Sequence, residues 1–128
     1  MKLLLDTHVF LWWATEPEKL SPLTAALCAD ERNSLHISVA SIWEMQIKAD
    51  LGKLSLSCPL DQLIKEQQLQ NGLLVLPVQA HHVYALKQLP PIHKDPFDRL
   101  LIAQTKAEDM VLLSADGFFK HYDVAVMW

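Results

Sequence analysis

The sequence predicts an α/β fold, a mostly parallel five-stranded sheet covered by helices on both faces. Short apolar runs at residues 2–6, 35–39, 73–77, 110–114 and 123–127 are largely unbroken rather than alternating, as in strands buried on both faces. Helical patterns separate them, and alternation of strand with helix is the mark of parallel crossover units. No repeat, low-complexity segment or linker divides the 128 residues, of which 51% are hydrophobic. Residues 1–128 therefore read as one domain that buries roughly two-thirds of its unfolded surface.

The elements follow in order. Residues 2–6 form a first strand ending on Asp6. Residues 7–14, with Val9, Phe10, Leu11, Trp12 and Trp13, form a helix that Glu16-Pro17-Glu18 breaks. Ser21-Pro22 is a cap followed by proline at the first helical position, where the missing N–H costs nothing, and opens a helix to about residue 30. The run 35–39 is a second strand. Ser41 starts the next helix, and Gly52 closes it in the position that favours a left-handed residue. A connector over 53–59 leads to a helix over 60–70, closed by Asn71-Gly72, then to a third strand over 73–77. A helix over 79–89 stops at Pro90-Pro91. Asp95-Pro96 repeats the cap-and-proline pattern and starts a helix over 96–108. A fourth strand over 110–114, a turn at Asp116-Gly117 and a fifth strand over 123–127 complete the chain.

The net charge of -4 argues against a binder held by a broad basic field, though not against an enzyme that reaches phosphate through bound cations. Cys28 and Cys58 are too far apart for a zinc framework and suit reduced cytosolic thiols. Nothing approaches the roughly 18 apolar residues of a membrane span. Asp6 interrupts Leu3-Leu4-Leu5 too early for a signal peptide. A cytoplasmic protein is expected.

Crossover helices run antiparallel to their strands, so helix starts and strand ends share one edge of the sheet. Asp6 ends the first strand and Asp116 lies just past the fourth, while Glu44 and Asp98 fall in the first turns of helices. All four acids should gather at that edge, where open α/β sheets place their ligands. Their closeness is costly. At about 5 Å and an effective dielectric of about 20, each like-charged pair repels by about 3 kcal/mol. Either some are protonated and titrate as a coupled set, or a hard divalent cation with oxygen ligands, magnesium or manganese, sits among them; the chemistry such an ion implies is hydrolysis of phosphodiesters.

Simpler roles compete at each position. Asp6 suits an N-cap, Glu44 a capping box with Ser41, Asp98 a capping pair with Asp95, and Asp116 an ordinary turn before Gly117. On those roles alone the chain would be a non-catalytic interaction domain. A metal-dependent phosphatase with Asp6 as nucleophile is a further alternative, weakened because His8 stands where a second acid is expected.

Four motifs, in this order, resemble the PIN-domain nucleases and more closely the VapC-type ribonuclease toxins of toxin–antitoxin pairs. They are Leu5-Asp6-Thr7-His8; Ser41-Ile42-Trp43-Glu44 with Lys48 and Gly52-Lys53-Leu54; Asp95-Pro96-Phe97-Asp98-Arg99 with Leu100-Leu101-Ile102-Ala103-Gln104; and Ser114-Ala115-Asp116. The resemblance covers essentially the whole chain. It implies a three-layer PIN-like domain and a site of Asp6, Glu44, Asp98 and Asp116. It also implies Mg2+- or Mn2+-dependent RNA cleavage and a cognate antitoxin. Asp6 and Asp98 match the principal metal ligands, with Asp116 beside them.

Thr7 and Ser114 are candidates to hydrogen-bond a carboxylate or bound water. Lys48, Lys53, Lys94 and Arg99 are candidate phosphate contacts. His8 and His93 adjoin the acidic motifs, yet none of the histidines has zinc spacing. Trp12, Trp13 and Trp43, with Val9, Phe10 and Met45, form an apolar surplus. Most of it is expected in the core, and the rest suggests a groove for an amphipathic antitoxin segment and pairing of the toxin with itself.

Overall fold

In the computed structural model, which describes residues 1–128, strands and helices alternate as expected. The strands are β1 (Lys2–Leu5), β2 (Ser34–Ser38), β3 (Leu74–Leu76), β4 (Val111–Leu113) and β5 (Val126–Met127). The helices are α1 (Thr7–Thr15), α2 (Pro22–Ala29), α3 (Val39–Asp50), α4 (Leu60–Asn71), α5 (Ala80–Tyr84) and α6 (Pro96–Ala107). The sheet order is β3-β2-β1-β4-β5, and every neighbouring pair is parallel.

β1 sits at the centre, where the chain crosses to β2 on one side and β4 on the other. Leu5 is level with both Ile37 and Leu113, so Asp6, Ser38 and Ser114 stand at one height at the C-terminal edge. This is the switch point of a wound sheet. Strand alternation divides β1 between two cores. Leu3 and Leu5 enter one with Val9 and Phe10 of α1, Met45 of α3 and Leu63 of α4, whereas Leu4 enters the other with Leu101 and Ile102 of α6. Helices therefore cover both faces, in three layers. No helix is long and apolar enough to cross a membrane.

The local chemistry explains the departures from the sequence reading. α3 begins directly at the end of β2, with Ser38 as its cap accepting from Ala40 N–H at 3.0 Å. Ser41 thus lies inside the helix, its buried hydroxyl unpartnered, and forms no capping box with Glu44. The stretch 79–89 divides into α5 and a 3-10 turn over Ala85–Gln88. Pro90 and Pro91 have no N–H to give the carbonyls of Leu86 and Lys87, so an α-helix cannot carry through. The Asp116-Gly117 turn opens a 3-10 segment, Gly117–His121, and β5 shortens to two residues. Of the expected apolar surplus, Val9, Phe10 and Met45 are core. Trp12 and Trp13 are half-buried, and only Trp43 is exposed, its ring edge-on to Phe97 at 5.4 Å.

Candidate functional site

The C-terminal edge of the sheet holds a cleft of about 400 Å³, lined among others by Asp6, Thr7, Glu44, Lys48, Asp98 and Asp116. Each acid is placed by a backbone event. Asp6 follows β1 and caps α1, Oδ1 accepting the Val9 N–H at 2.8 Å. Asp95 caps α6, its Oδ1 accepting the N–H groups of Phe97 (2.8 Å) and Asp98 (3.2 Å). That frees the Asp98 carboxyl, whose Oδ2 lies 2.8 Å from His93 Nε2. Asp116 caps its 3-10 segment through Oδ1 and Phe118 N–H (2.9 Å), while its own N–H reaches Ser114 Oγ (3.0 Å). Glu44 is engaged at both oxygens: Thr7 Oγ1 donates to Oε1 at 2.6 Å and Lys48 Nζ to Oε2 at 3.0 Å.

Burial and mutual repulsion decide the electrostatics. Burial raises the pKa of Asp6, against the pull of the Ser114 hydroxyl, the Val9 N–H and the His8 charge. Asp98 is pushed up to about 7, first by burial and then by the Asp95 carboxylate; His93 opposes this, and the Glu44 and Asp6 charges add to it. An ordinary protein surface would not keep such a group. One ligand-type atom each from His93, Asp98 and Asp116 lie within 4.8 Å of one another, and Asp6 lines the same cleft. Carboxylate oxygens, with burial opposing the charge of Asp6 and Asp98, fit a hard divalent cation, which supplies positive charge at the cleft. These acidic groups could bind a metal.

A PIN-domain model matches residues 3–125, nearly the whole chain. The chain belongs to the PIN-domain family. Among its relatives is Ribonuclease VapC22 of Mycobacterium tuberculosis, 27% identical over 114 residues, covering 88% of this chain and 85% of that protein. Solved structures with the same fold include VapBC2 from Rickettsia felis bound to a DNA fragment from their promoter. It has TM-score 0.73 and 17% identity, over 99% of this chain and 98% of that one. FitAcB from Neisseria gonorrhoeae has TM-score 0.66 and 21% identity, over 98% and 96%. The four-motif resemblance to VapC-type PIN proteins thus has relatives of the same kind behind it.

Within this PIN fold, Asp6, Thr7, Glu44, Lys48, Asp98 and Asp116 line one cleft, with Ser114 buried beneath Asp116. Arg99 departs from its expected place at the phosphate. Its guanidinium donates to Leu86 O and Pro90 O, both at 3.0 Å, because it lies one residue past Asp98 on the helix and turns toward the proline loop. His93 stands against Asp98, in keeping with its place beside the acidic motif, whereas Trp12 takes a position that the sequence reading did not give it. His93 lies two residues before the Asp95 cap, so the first turn of α6 brings it back on Asp98. Trp12 stands one helical turn beyond His8, with ring centroids 6.0 Å apart, and lines the cleft.

A second convergence, His81, His82 and Glu108, is of another kind. His82 Nδ1 accepts the Gln79 N–H at 3.0 Å, so a neutral ring carries its proton on Nε2, 2.8 Å from Glu108 Oε1. Its nitrogens are spent on the fold, and no lone pair remains for an ion.

Proposed function

We propose that this PIN domain, spanning residues 1–128, is a metal-dependent endoribonuclease, the toxin of a VapC-type toxin–antitoxin pair that acts in the cytoplasm. The carrying observation is Asp98, an acid in a cleft of acids whose pKa is pushed up to about 7. A site that strains against its own charge is built for a cation. The ribonuclease relative and the VapBC and FitAB structures support the choice of RNA and of an antitoxin.

Asp6, Asp98 and Asp116 would hold Mg2+ or Mn2+. Asp6 and Asp116 each commit Oδ1 to a backbone N–H, and Asp98 keeps Oδ2 against His93. The bound ion supplies Lewis-acid polarisation of the scissile phosphate and offsets the carboxylate charge. Glu44 has a different part. Thr7 and Lys48 fix its carboxylate at the cleft wall, where its remaining lone pairs take a proton from the attacking water. Lys48, about 40% exposed, has donors to spare for a phosphate oxygen. The exposed Trp43, its ring edge-on to the half-buried Phe97, supports a homodimer.

The test is to incubate the purified chain with total RNA and Mg2+, beside Asp6→Ala and an EDTA control, and map the ends. Cleavage that needs both metal and Asp6 supports the reading. A metal-independent product, or none, goes against it. Release of phosphate from small monoesters with intact RNA would point to the phosphatase alternative.

A further inference from the structure

His93 is fixed from several sides without serving the sheet. Its backbone N–H donates to Tyr122 Oη at 2.7 Å, and its ring lies against Phe118 (centroids 5.2 Å apart) and Phe119 (6.3 Å). Nδ1 accepts the N–H of Asp95 at 3.3 Å, the same residue that caps α6 and so places Asp98. That bond fixes the tautomer: a neutral ring with Nδ1 accepting carries its proton on Nε2. Nε2 is sealed from solvent and lies 2.8 Å from Asp98 Oδ2, but the N–H is not aligned for a hydrogen bond. A protonated nitrogen cannot ligate an ion, so proximity to Asp98 and Asp116 does not make His93 a ligand. A sealed donor just off line from a carboxylate is a contact that tightens when the site is filled.

We propose that His93 is a positioning residue for Asp98: its Nε2–H holds Oδ2 of the carboxylate and leaves the other oxygen for a divalent cation. This rests on the metal-dependent nuclease reading above. Histidine suits the task because it joins two fixed points. Nδ1 is tied to the helix cap and Nε2 to the acid the cap positions, so backbone and carboxylate move together. Outer hydrogen bonds of this kind are worth about 10- to 100-fold in metal affinity or activity.

The experiment measures Mn2+ binding by calorimetry on the full chain, as wild type and as His93→Gln, His93→Phe and Asp98→Asn. Metal-free melting and RNA-cleavage kinetics accompany it. Gln keeps a donor near the Nε2 position, whereas Phe keeps the ring against Phe118 and Phe119 but has no donor. H93Q should bind within about threefold of wild type and H93F about tenfold more weakly, with kcat lowered and KM for RNA unchanged. An H93F protein that binds Mn2+ as wild type does, or an H93Q protein that loses as much as H93F, overturns the proposal. Should H93F fail to fold, nitrogen NMR of the wild-type imidazole decides. The proton should stay on Nε2 without metal and with saturating Mg2+; an Nδ1–H tautomer, or loss of the Nε2 proton on adding Mg2+, overturns it. If wild type itself binds no Mn2+, the nuclease reading falls with it, an outcome distinct from failure of a His93 variant alone.

Discussion

Two histidine–carboxylate pairs with the same 2.8 Å separation behave oppositely in this molecule. His82–Glu108 is closed: the imidazole is fully buried, both nitrogens are bonded, and the hydrogen bond from His82 lowers the pKa of Glu108. His93–Asp98 is open: the donor is misaligned, and burial with the Asp95 charge drives Asp98 up to about 7. The difference lies in what surrounds each acid. Glu108 is a helix-end group reached by water and by the His81 and Lys2 charges. Asp98 is hemmed by Asp95, Glu44 and Asp6. A fold satisfies its polar groups wherever it can, so a pair left unsatisfied beside a cleft marks the place kept for a ligand.

The sharpest way to break this contrast is Asp98→Asn. RNA cleavage should fall by a factor on the order of 100 or more, while the metal-free protein becomes more stable. The sign follows from linkage. The folded state holds the Asp98 proton up to about pH 7, whereas an unperturbed carboxyl releases it near 3.8, so stability falls as pH rises between these values. Above pH 7 the penalty is fully in force. Discounted for the solvent that reaches the group, Asn should return on the order of 2 kcal/mol at pH 8 and flatten melting temperature against pH between 4 and 7. Thermal melts across that range test it, and a variant less stable than wild type at pH 8 would return Asp98 to the role of a structural cap.

Adding Mg2+ should have a comparable effect in the wild type. An ion held only by the folded state at about 100 times its dissociation constant adds about 2.7 kcal/mol. The increment should vanish in Asp98→Asn and survive in Glu108→Ala, since only the open pair belongs to the cleft. A melting shift with Mg2+ equal in all three proteins would point to non-specific binding.

The parallel sheet was legible because its strands are unbroken apolar runs and its helices begin at Ser21-Pro22 and Asp95-Pro96, signals that depend on neighbours in the chain. Gathering Asp6, Glu44, Asp98 and Asp116 at one edge needed only that crossover helices run antiparallel to the strands they connect. Orientation was less legible. That Arg99 turns to the carbonyls of Leu86 and Pro90 depends on two prolines nine and eight residues earlier stopping a helix and exposing an acceptor. Ser41 and Glu44 carry the spacing of a capping box, but β2 runs into α3 without a loop and Ser38 takes the cap. His93 shows no pattern by itself, because its neighbours Tyr122, Phe118 and Phe119 arrive from a distant segment.

Smaller effects are expected at the closed pair and at Arg99. Glu108→Ala leaves the buried His82 Nε2–H without its acceptor and should cost about 1–2 kcal/mol, with cleavage per folded molecule unchanged. Glu108→Gln, which keeps an acceptor oxygen, should lose less. The wild-type contribution of Glu108 is present above its ordinary value of 4.5 and is lost as pH falls below it, the opposite slope to Asp98. Arg99→Lys gives the smallest change. A lysine cannot span two carbonyls with the planar fork of a guanidinium, so the proline loop should loosen at a cost of about 1 kcal/mol. KM for RNA should hold, because the lost contacts are to Leu86 and Pro90 rather than to anything in the cleft. Steady-state kinetics on the folded fraction check this, and a several-fold rise in KM with unchanged melting would mean that Arg99 swings to the substrate after all.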